Sequence, residues 1–97
     1  MPAYVVLGNF TDQGIRNIKN LRQLRDAAGG WTASKGGRVI ANYTTFGQYH
    51  FVHVAELPSD EIALEAALTF GSQGEVRTQI LKAFEEDAVI AIAERLP

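Results

Sequence analysis

The stretch "FGQYHFVHVAE", residues 46–56, contains both histidines of the chain, three positions apart and next to a tyrosine. Imidazole is the side chain that changes charge nearest to neutral pH, and it can accept, donate, bind metals or transfer protons. A neighbouring tyrosine adds a hydroxyl group that also donates and accepts hydrogen bonds. Tyr49, His50 and His53 are therefore the first candidates for chemistry in this chain.

The spacing of the two histidines argues against a shared metal ion. Successive side chains of a β-strand point to opposite faces, so His50 and His53 would face apart in a regular strand. They could meet at one metal only across a bulge or a second subunit. The chain has no cysteine, which excludes disulfides, thiolate catalysis and cysteine-bound metals. We predict no metal site and no cofactor.

Length and composition predict one small globular domain. The 97 residues leave no room for a second core, and the apolar share of 46% and charged share of 21% are ordinary. A net charge of −2 gives no general attraction for nucleic acid or anionic membranes. The apolar runs are too short for a signal peptide or a membrane span. We expect a cytoplasmic protein with a single domain over residues 1–97 and with neither nucleic acid nor membrane as a partner.

The hydrophobic pattern predicts the order strand, helix, hairpin, helix, strand, helix. The predicted strands are "AYVVLGNF", then "RVIANYTTF" and "QYHFVHVAE" around Gly47, and finally "EVRTQILKAF". We expect Thr11 and Ser59 to cap the first two helices, and the first helix to end or kink at Gly29–Gly30. The alternative is that "WTASKGG" adds another turn before Gly36–Gly37 stops the helix. The last helix is expected to turn an apolar side inward, formed by Val89, Ile92, Ala93 and Leu96. This order is typical of an α+β, ferredoxin-like βαββαβ fold with one four-stranded antiparallel sheet.

Both faces of the predicted sheet are apolar. In the third strand, one face carries Tyr49, Phe51 and His53, and the other carries His50, Val52 and Val54. Two helices cover only one face, and a large apolar face left in water would be unusual for a monomer. We favour a second copy of the same sheet, rather than a ligand, as the cover of this face. This predicts a homodimer or higher oligomer that forms through the open face. In that arrangement we expect His53 between the sheets, where its protonation would dissociate the oligomer, and His50 on the helix side.

Three stretches, "YVVLGNFTDQGIRNIK", "YTTFGQYHFV" and "GEVRT", resemble the GYD-domain family over nearly the whole chain. The resemblance implies a small bacterial protein of the dimeric α/β-barrel superfamily, with ferredoxin-like subunits whose sheets pair into a barrel, and it implies no particular activity. In the motif that names the family, the glycine corresponds to Gly47 and the tyrosine to Tyr49. The aspartate falls on His50, so a role that needs a fixed negative charge would not carry over.

RNA binding is a minor alternative, because the RNA-recognition motif has the same order of elements. "GQYHFVHV" matches the third-strand signature of that motif at Tyr49, Phe51 and Val52. It lacks the leading basic residue, the glycine and the final aromatic residue, and Val6 stands where the first strand should carry a stacking ring. The net charge also removes the electrostatic attraction that such binding requires.

The candidate site joins the motif to polar residues that the fold would bring near it. His50 would be the acid/base or orienting group, and Tyr49 would act with it; the predicted ligand contacts are Asn9, Arg16, Tyr43 and Arg77. With these residues the protein would bind a small organic or anionic molecule between sheet and helices. An extension of this hypothesis is that the protein also converts the molecule chemically. The competing interpretation is a structural or regulatory assembly module without catalysis. A ligand-sized cavity containing His50 would favour the ligand-binding interpretation, and a filled interior would favour the assembly module.

Overall fold

The computed structural model describes all 97 residues and contains four strands and four helices. In chain order these are β1 (Ala3–Phe10), α1 (Asp12–Arg16), α2 (Leu21–Ser34), β2 (Arg38–Thr44), β3 (Phe51–Glu56), α3 (Asp60–Ser72), β4 (Val76–Ala83) and α4 (Glu86–Ala93). A short 3-10 turn, Ile18–Asn20, separates α1 from α2. None of the helices has the length and apolar character needed to cross a membrane.

The four strands form one antiparallel sheet in the order β2-β3-β1-β4. The outer strand β2 contains a bulge between Val39 and Ala41, which leaves Ile40 without a partner in the ladder. The ferredoxin-like order predicted from the sequence is confirmed.

Both predicted helix caps are present. The Thr11 hydroxyl accepts the backbone N–H of Gly14 at 3.1 Å, and the Ser59 hydroxyl accepts that of Ile62 at 3.3 Å. The Thr11 hydroxyl also donates to the carbonyl of Gly74. This bond ties the start of α1 to the loop before β4, so the cap also joins two parts of the fold that are far apart in sequence.

The predicted break at Gly29–Gly30 is wrong, because α2 continues through both glycines to Ser34. Beyond them, the ring of Trp31 meets that of Phe70 of α3 edge-on at 5.9 Å, and Lys35 pairs with α3 through an ion pair of 2.8 Å. These contacts between helices outweigh a propensity cost of about 1 kcal/mol per glycine. The interruption of the helical run lies earlier instead, at the 3-10 turn.

Helices α2 and α3 cover one face of the sheet, with α2 packed on β2 and α3 on β4. The small buried core of this face consists of Tyr4, Leu57 and Ala63. His53 lies in register with Val6, on the same face as Tyr4, and therefore points toward the helices. The expectation that His53 faces the open side was wrong. Alternation along a strand shows which residues share a face, but it does not show which of the two faces the helices cover.

The other face of the sheet, which we call the open face, carries apolar side chains without a helix packed on them. Its members are Val5, Leu7, Val52, Val54 and Leu81. Helix α4 does not return to this face or to the other one: Val89, Ile92 and Leu96 are 47%, 49% and 67% exposed, and Ala93 is exposed as well. The inward side predicted for the last helix is therefore wrong within one chain, because α4 leads away from the sheet and finds no surface to pack on.

Candidate functional site

Tyr49 and His50 lie in the loop between β2 and β3, since β3 begins only at Phe51. Gly47 takes a φ of 141° in this loop, a conformation that residues with a Cβ rarely adopt. The loop is closed by Thr45, whose N–H donates to the carbonyl of His50 and whose hydroxyl donates to that of Tyr49, both at 2.7 Å. The strand predicted from residue 48 is thus shorter at its start.

His50 fixes this loop to the end of β1. Its Nδ1 accepts the N–H of Phe10 at 2.9 Å, and its own N–H donates to the carbonyl of Gly8 at 2.8 Å and to Oδ1 of Asn9 at 3.1 Å. The imidazole also stacks on the ring of Phe10, with 5.8 Å between centroids. Because Nδ1 accepts, the remaining ring proton of the neutral form is on Nε2. His50 thus supplies an acceptor where strand pairing has not yet begun.

The other predicted site residues are only partly brought together. The Tyr49 hydroxyl donates to Oε1 of Gln79 at 2.9 Å, and Asn9 lies in register with Arg77 at the same end of the sheet. The Arg77 guanidinium donates to backbone carbonyls, including that of Gly71 near the end of α3. Tyr43 lies on the outer strand β2 and is 68% exposed. Arg16 is exposed on α1, and its side chain makes no hydrogen bond or ion pair within the chain.

A cavity of about 220 Å³ lies between the sheet and helices α2 and α3. Its floor includes Val6, Phe51, His53, Thr78 and Ile80, and its roof includes Leu24, Ala28, Ala66, Ala67 and Phe70. The space arises because α2 packs on the outer strand β2 and α3 on the outer strand β4. Above the central strands, the helices present alanines, whose side chains are too small to fill the gap. Of the residues predicted for a site, only Tyr43 lines this cavity, and His53 lies in it instead of His50.

His53 is the titratable group on the cavity floor. Its Nδ1 forms a short hydrogen bond with Oδ1 of Asn42 on β2, and Nε2 has no partner within the chain. Burial lowers the pKa of His53 below its ordinary value of 6.5, because the charged imidazolium loses its hydration. The ring is therefore neutral at neutral pH. The oxygen of Asn42 can only accept, so the ring proton is on Nδ1, and Nε2 presents a lone pair.

A second polar group, Tyr4 with Asp60 and Lys82, holds the far end of the cavity wall together. The buried Tyr4 hydroxyl donates a short hydrogen bond to Asp60 at the start of α3, and Lys82 of β4 pairs with the same carboxylate at 3.1 Å. Burial, together with this hydrogen bond, raises the pKa of Tyr4 to about 12. Hydrogen bonds from Tyr4 and Lys82 hold the pKa of Asp60 below its usual value. This network attaches α3 to the sheet.

Comparison with known proteins gives two findings. The sequence pattern that defines the GYD domain matches residues 4–93. The chain is also 33% identical over 92 residues to a protein of Thermus thermophilus called "Glutamine synthetase and cystathionine beta-lyase binding protein". That alignment covers 94% of this chain and 97% of the Thermus protein.

Proposed function

This chain belongs to the GYD domain family, and on that premise we propose that it is a binding protein that holds a small organic molecule between its sheet and its helices. The observation that carries the proposal is the cavity of about 220 Å³ with its mostly apolar wall. Protein interiors are normally packed as densely as organic crystals, so a gap of this size needs an explanation. An apolar cavity of only about 150 Å³ is already large enough to take up benzene.

The proposal is for binding without a reaction. Each histidine is already hydrogen-bonded through Nδ1, His50 to a backbone amide and His53 to Asn42. Neither has a carboxylate or hydroxyl group at hydrogen-bond distance, so neither is half of an acid–base or nucleophile–base pair. Nor do the ring positions support RNA binding, since Phe51, which the RNA-recognition motif would use for stacking, lines the cavity on the helix side.

A cavity-filling variant tests the binding proposal. Ala28→Leu adds three carbon atoms above the cavity, which at about 0.8 kcal/mol per buried CH₂ would add about 2 kcal/mol to the free energy of unfolding. We expect Ala28→Leu to unfold at a higher temperature and to lose any molecule that native mass spectrometry finds on the wild-type protein. Ala27→Leu, at the exposed neighbouring position, is the matched control and should change neither. Undiminished binding by folded Ala28→Leu would rule out the cavity as the site.

Self-association through the open face is the second part of the proposal. Four strands spaced by about 4.8 Å, each rising about 3.3 Å per residue over at most eight residues, present roughly 500 Å². A stable interface needs about 800 Å² from each partner. The sheet alone is therefore too small, and the unpacked apolar α4 is the part of the chain best able to supply the rest. In a two-fold symmetric dimer, the open face and α4 of each subunit would both contribute to the interface, which would supply the missing area.

Charge substitutions on the two surfaces test the oligomer. We expect wild-type protein to sediment as a dimer or larger assembly, and Val54→Asp on the open face or Ile92→Asp on α4 to shift it toward single subunits. Ala27→Asp, exposed on α2, is the control and should leave the sedimentation coefficient unchanged. Single wild-type subunits at high concentration would contradict this part of the proposal.

Protein binding is a second candidate function, because the Thermus relative is named for binding two enzymes. The exposed apolar side of α4 supports it, since the same surface that could join two copies could also contact another protein. This corresponds to the regulatory or assembly module considered from the sequence. The relative's two enzymes are the first partners to test by sedimentation of mixtures. Ile92→Asp should weaken such a complex, while Ala28→Leu should leave it intact.

A further inference from the structure

The polar lining of the cavity restricts what it can hold. Resting on the proposed function, we infer that the bound molecule is an uncharged, compact ring compound that carries one hydroxyl or N–H group and donates it to Nε2 of His53. Three observations support this inference: the hydrogen-bonding direction of His53, the absence of an unpaired charge in the wall, and the volume of the cavity.

The hydrogen-bonding direction is set by Asn42. The oxygen of Asn42 lies against Nδ1 of His53, which places the ring proton there and leaves Nε2 as an acceptor only. Nε2 has no donor within the chain and is not fully buried, since the structure contains no buried side-chain nitrogen or oxygen that lacks a partner, and His53 is one of the residues that line the cavity. Tyr43, Thr44 and Thr78, which also line the cavity, carry hydroxyl groups that accept as well as donate and therefore do not discriminate. His53 is the group that selects for a donor.

The charge of the ligand follows from the arginine at the wall. Arg25 is the only charged residue among those that line the cavity, and its guanidinium is paired with Asp26 at 3.2 Å while more than half of it is exposed. It offers no desolvated positive charge to an anion. An ionised carboxylate or amine inside would lose its hydration without a partner of opposite charge, which is costly. Arg16 and Arg77, two of the predicted ligand contacts, do not line the cavity.

The size of the ligand follows from the volume. If a cavity of about 150 Å³ takes up benzene, with its six carbons, a cavity of about 220 Å³ has room for roughly nine non-hydrogen atoms. This corresponds to a substituted single ring or a small fused pair of rings.

Three probes of this size separate the possibilities: para-ethylphenol, its isomer para-methylanisole, and benzoate. The two isomers have the same atoms, but only the phenol can donate a hydrogen bond. From the usual worth of one hydrogen bond, we expect the phenol to bind about five to ten times more tightly than the ether in an amide-resolved NMR titration. Benzoate should not bind.

Variants at His53 and Asn42 connect the preference to this pair. In His53→Leu the two isomers should bind equally. In Asn42→Leu, at an exposed position of β2, Nδ1 loses the acceptor that fixes the ring proton, so the preference should shrink or reverse. The amide spectrum shows whether each variant is folded. If His53→Leu does not fold, Asn42→Leu, which changes an exposed position, still tests the preference.

The outcomes are distinct. Equal binding of the isomers by wild-type protein, or a preference that survives in both variants, would overturn the assignment of His53 and leave the proposed binding function standing. Tighter binding of benzoate than of the phenol would overturn the inference that the ligand is uncharged. If none of the three probes shifts the amides of residues around the cavity, the proposed function fails together with this inference.

Discussion

The packing of Phe51 over Gly8 gives the sharpest test of the sheet register that underlies the site. Gly8 and Phe51 lie opposite each other on β1 and β3. A Cβ atom added to Gly8 would lie 1.9 Å from Cζ of Phe51 and within 2.5 Å of two further ring atoms. Ordinary contacts between such atoms lie near 3.5–4.0 Å. In Gly8→Ala the ring tip must therefore move by about 2 Å, and the space available to it is the cavity.

The size of the effect can be worked out as a double-mutant cycle. Overpacking of this kind costs about 1–3 kcal/mol, which for a domain of this length lowers the melting temperature by about 4–8 °C per kcal/mol. Phe51→Ala alone should cost about 3 kcal/mol, because the ring is only partly buried. In the Phe51→Ala background the clash is absent, and Gly8→Ala should become neutral or stabilising by about 0.5 kcal/mol, since alanine is better than glycine inside a strand. The expected coupling energy is about 2 kcal/mol.

Urea denaturation of the four proteins at one protein concentration measures this coupling. Gly71→Ala is the control glycine substitution, because a Cβ at Gly71 would meet no atom within 4 Å, and it should be additive with Phe51→Ala. Additivity of Gly8→Ala with Phe51→Ala to within about 0.5 kcal/mol would refute the register and the position of the ring. Because the displaced ring enters the cavity, Gly8→Ala should also weaken ligand binding.

Three further predictions concern the histidines and the glycines of α2. His50→Ala should lower the free energy of unfolding by about 1–3 kcal/mol, because the amide of β1 that it caps loses its acceptor; His50→Asp should keep most of that stability in urea denaturation. Burial lowers the pKa of His53 below 6.5, so below about pH 6.5 the unfolded chain binds a proton that the folded chain does not. Stability should therefore fall from about pH 6.5 downward until the folded pKa is reached, and a series from about pH 8 to about pH 5 should show this loss in wild type and not in His53→Leu. Gly29→Ala and Gly30→Ala should each raise the free energy of unfolding by about 1 kcal/mol, because both Cβ positions are open; lower melting temperatures would contradict the continuous helix.

Local sequence patterns were sufficient for the four strands, the two caps and the order of the elements, but not for the 3-10 turn that separates α1 from α2. The bounds of β1 follow from its β-branched run, and the caps at Thr11 and Ser59 follow from residue types at one position each. The order of elements then restricted the topology to the ferredoxin-like sheet. The family resemblance pointed to the same fold, and the match over residues 4–93 confirms that membership.

The errors share one cause, which is that they depend on contacts distant in sequence. Alternation placed His53 with Phe51 correctly, but the face covered by helices is decided by how the crossovers pack. The cavity could not be predicted from the sequence either, because it results from alanines on two separate helices that meet above the centre of one sheet. A signal was present in retrospect: Gly8 leaves room for one ring on β3, which marks that face as the packed one.

The structure also gives the family motif a physical meaning that does not require catalysis. Gly47 makes the loop possible, Tyr49 reaches across to Gln79 of β4, and residue 50 supplies an acceptor to the last amide of β1. The accepting atom of His50 is Nδ1, which is two bonds from Cβ, and the Oδ1 of an aspartate is the same two bonds away. The aspartate that the family resemblance implies could therefore cap the same amide as the histidine does here. The motif then attaches one loop to the ends of two strands, and the ligand contact that we propose belongs to the other histidine, on the floor of the cavity.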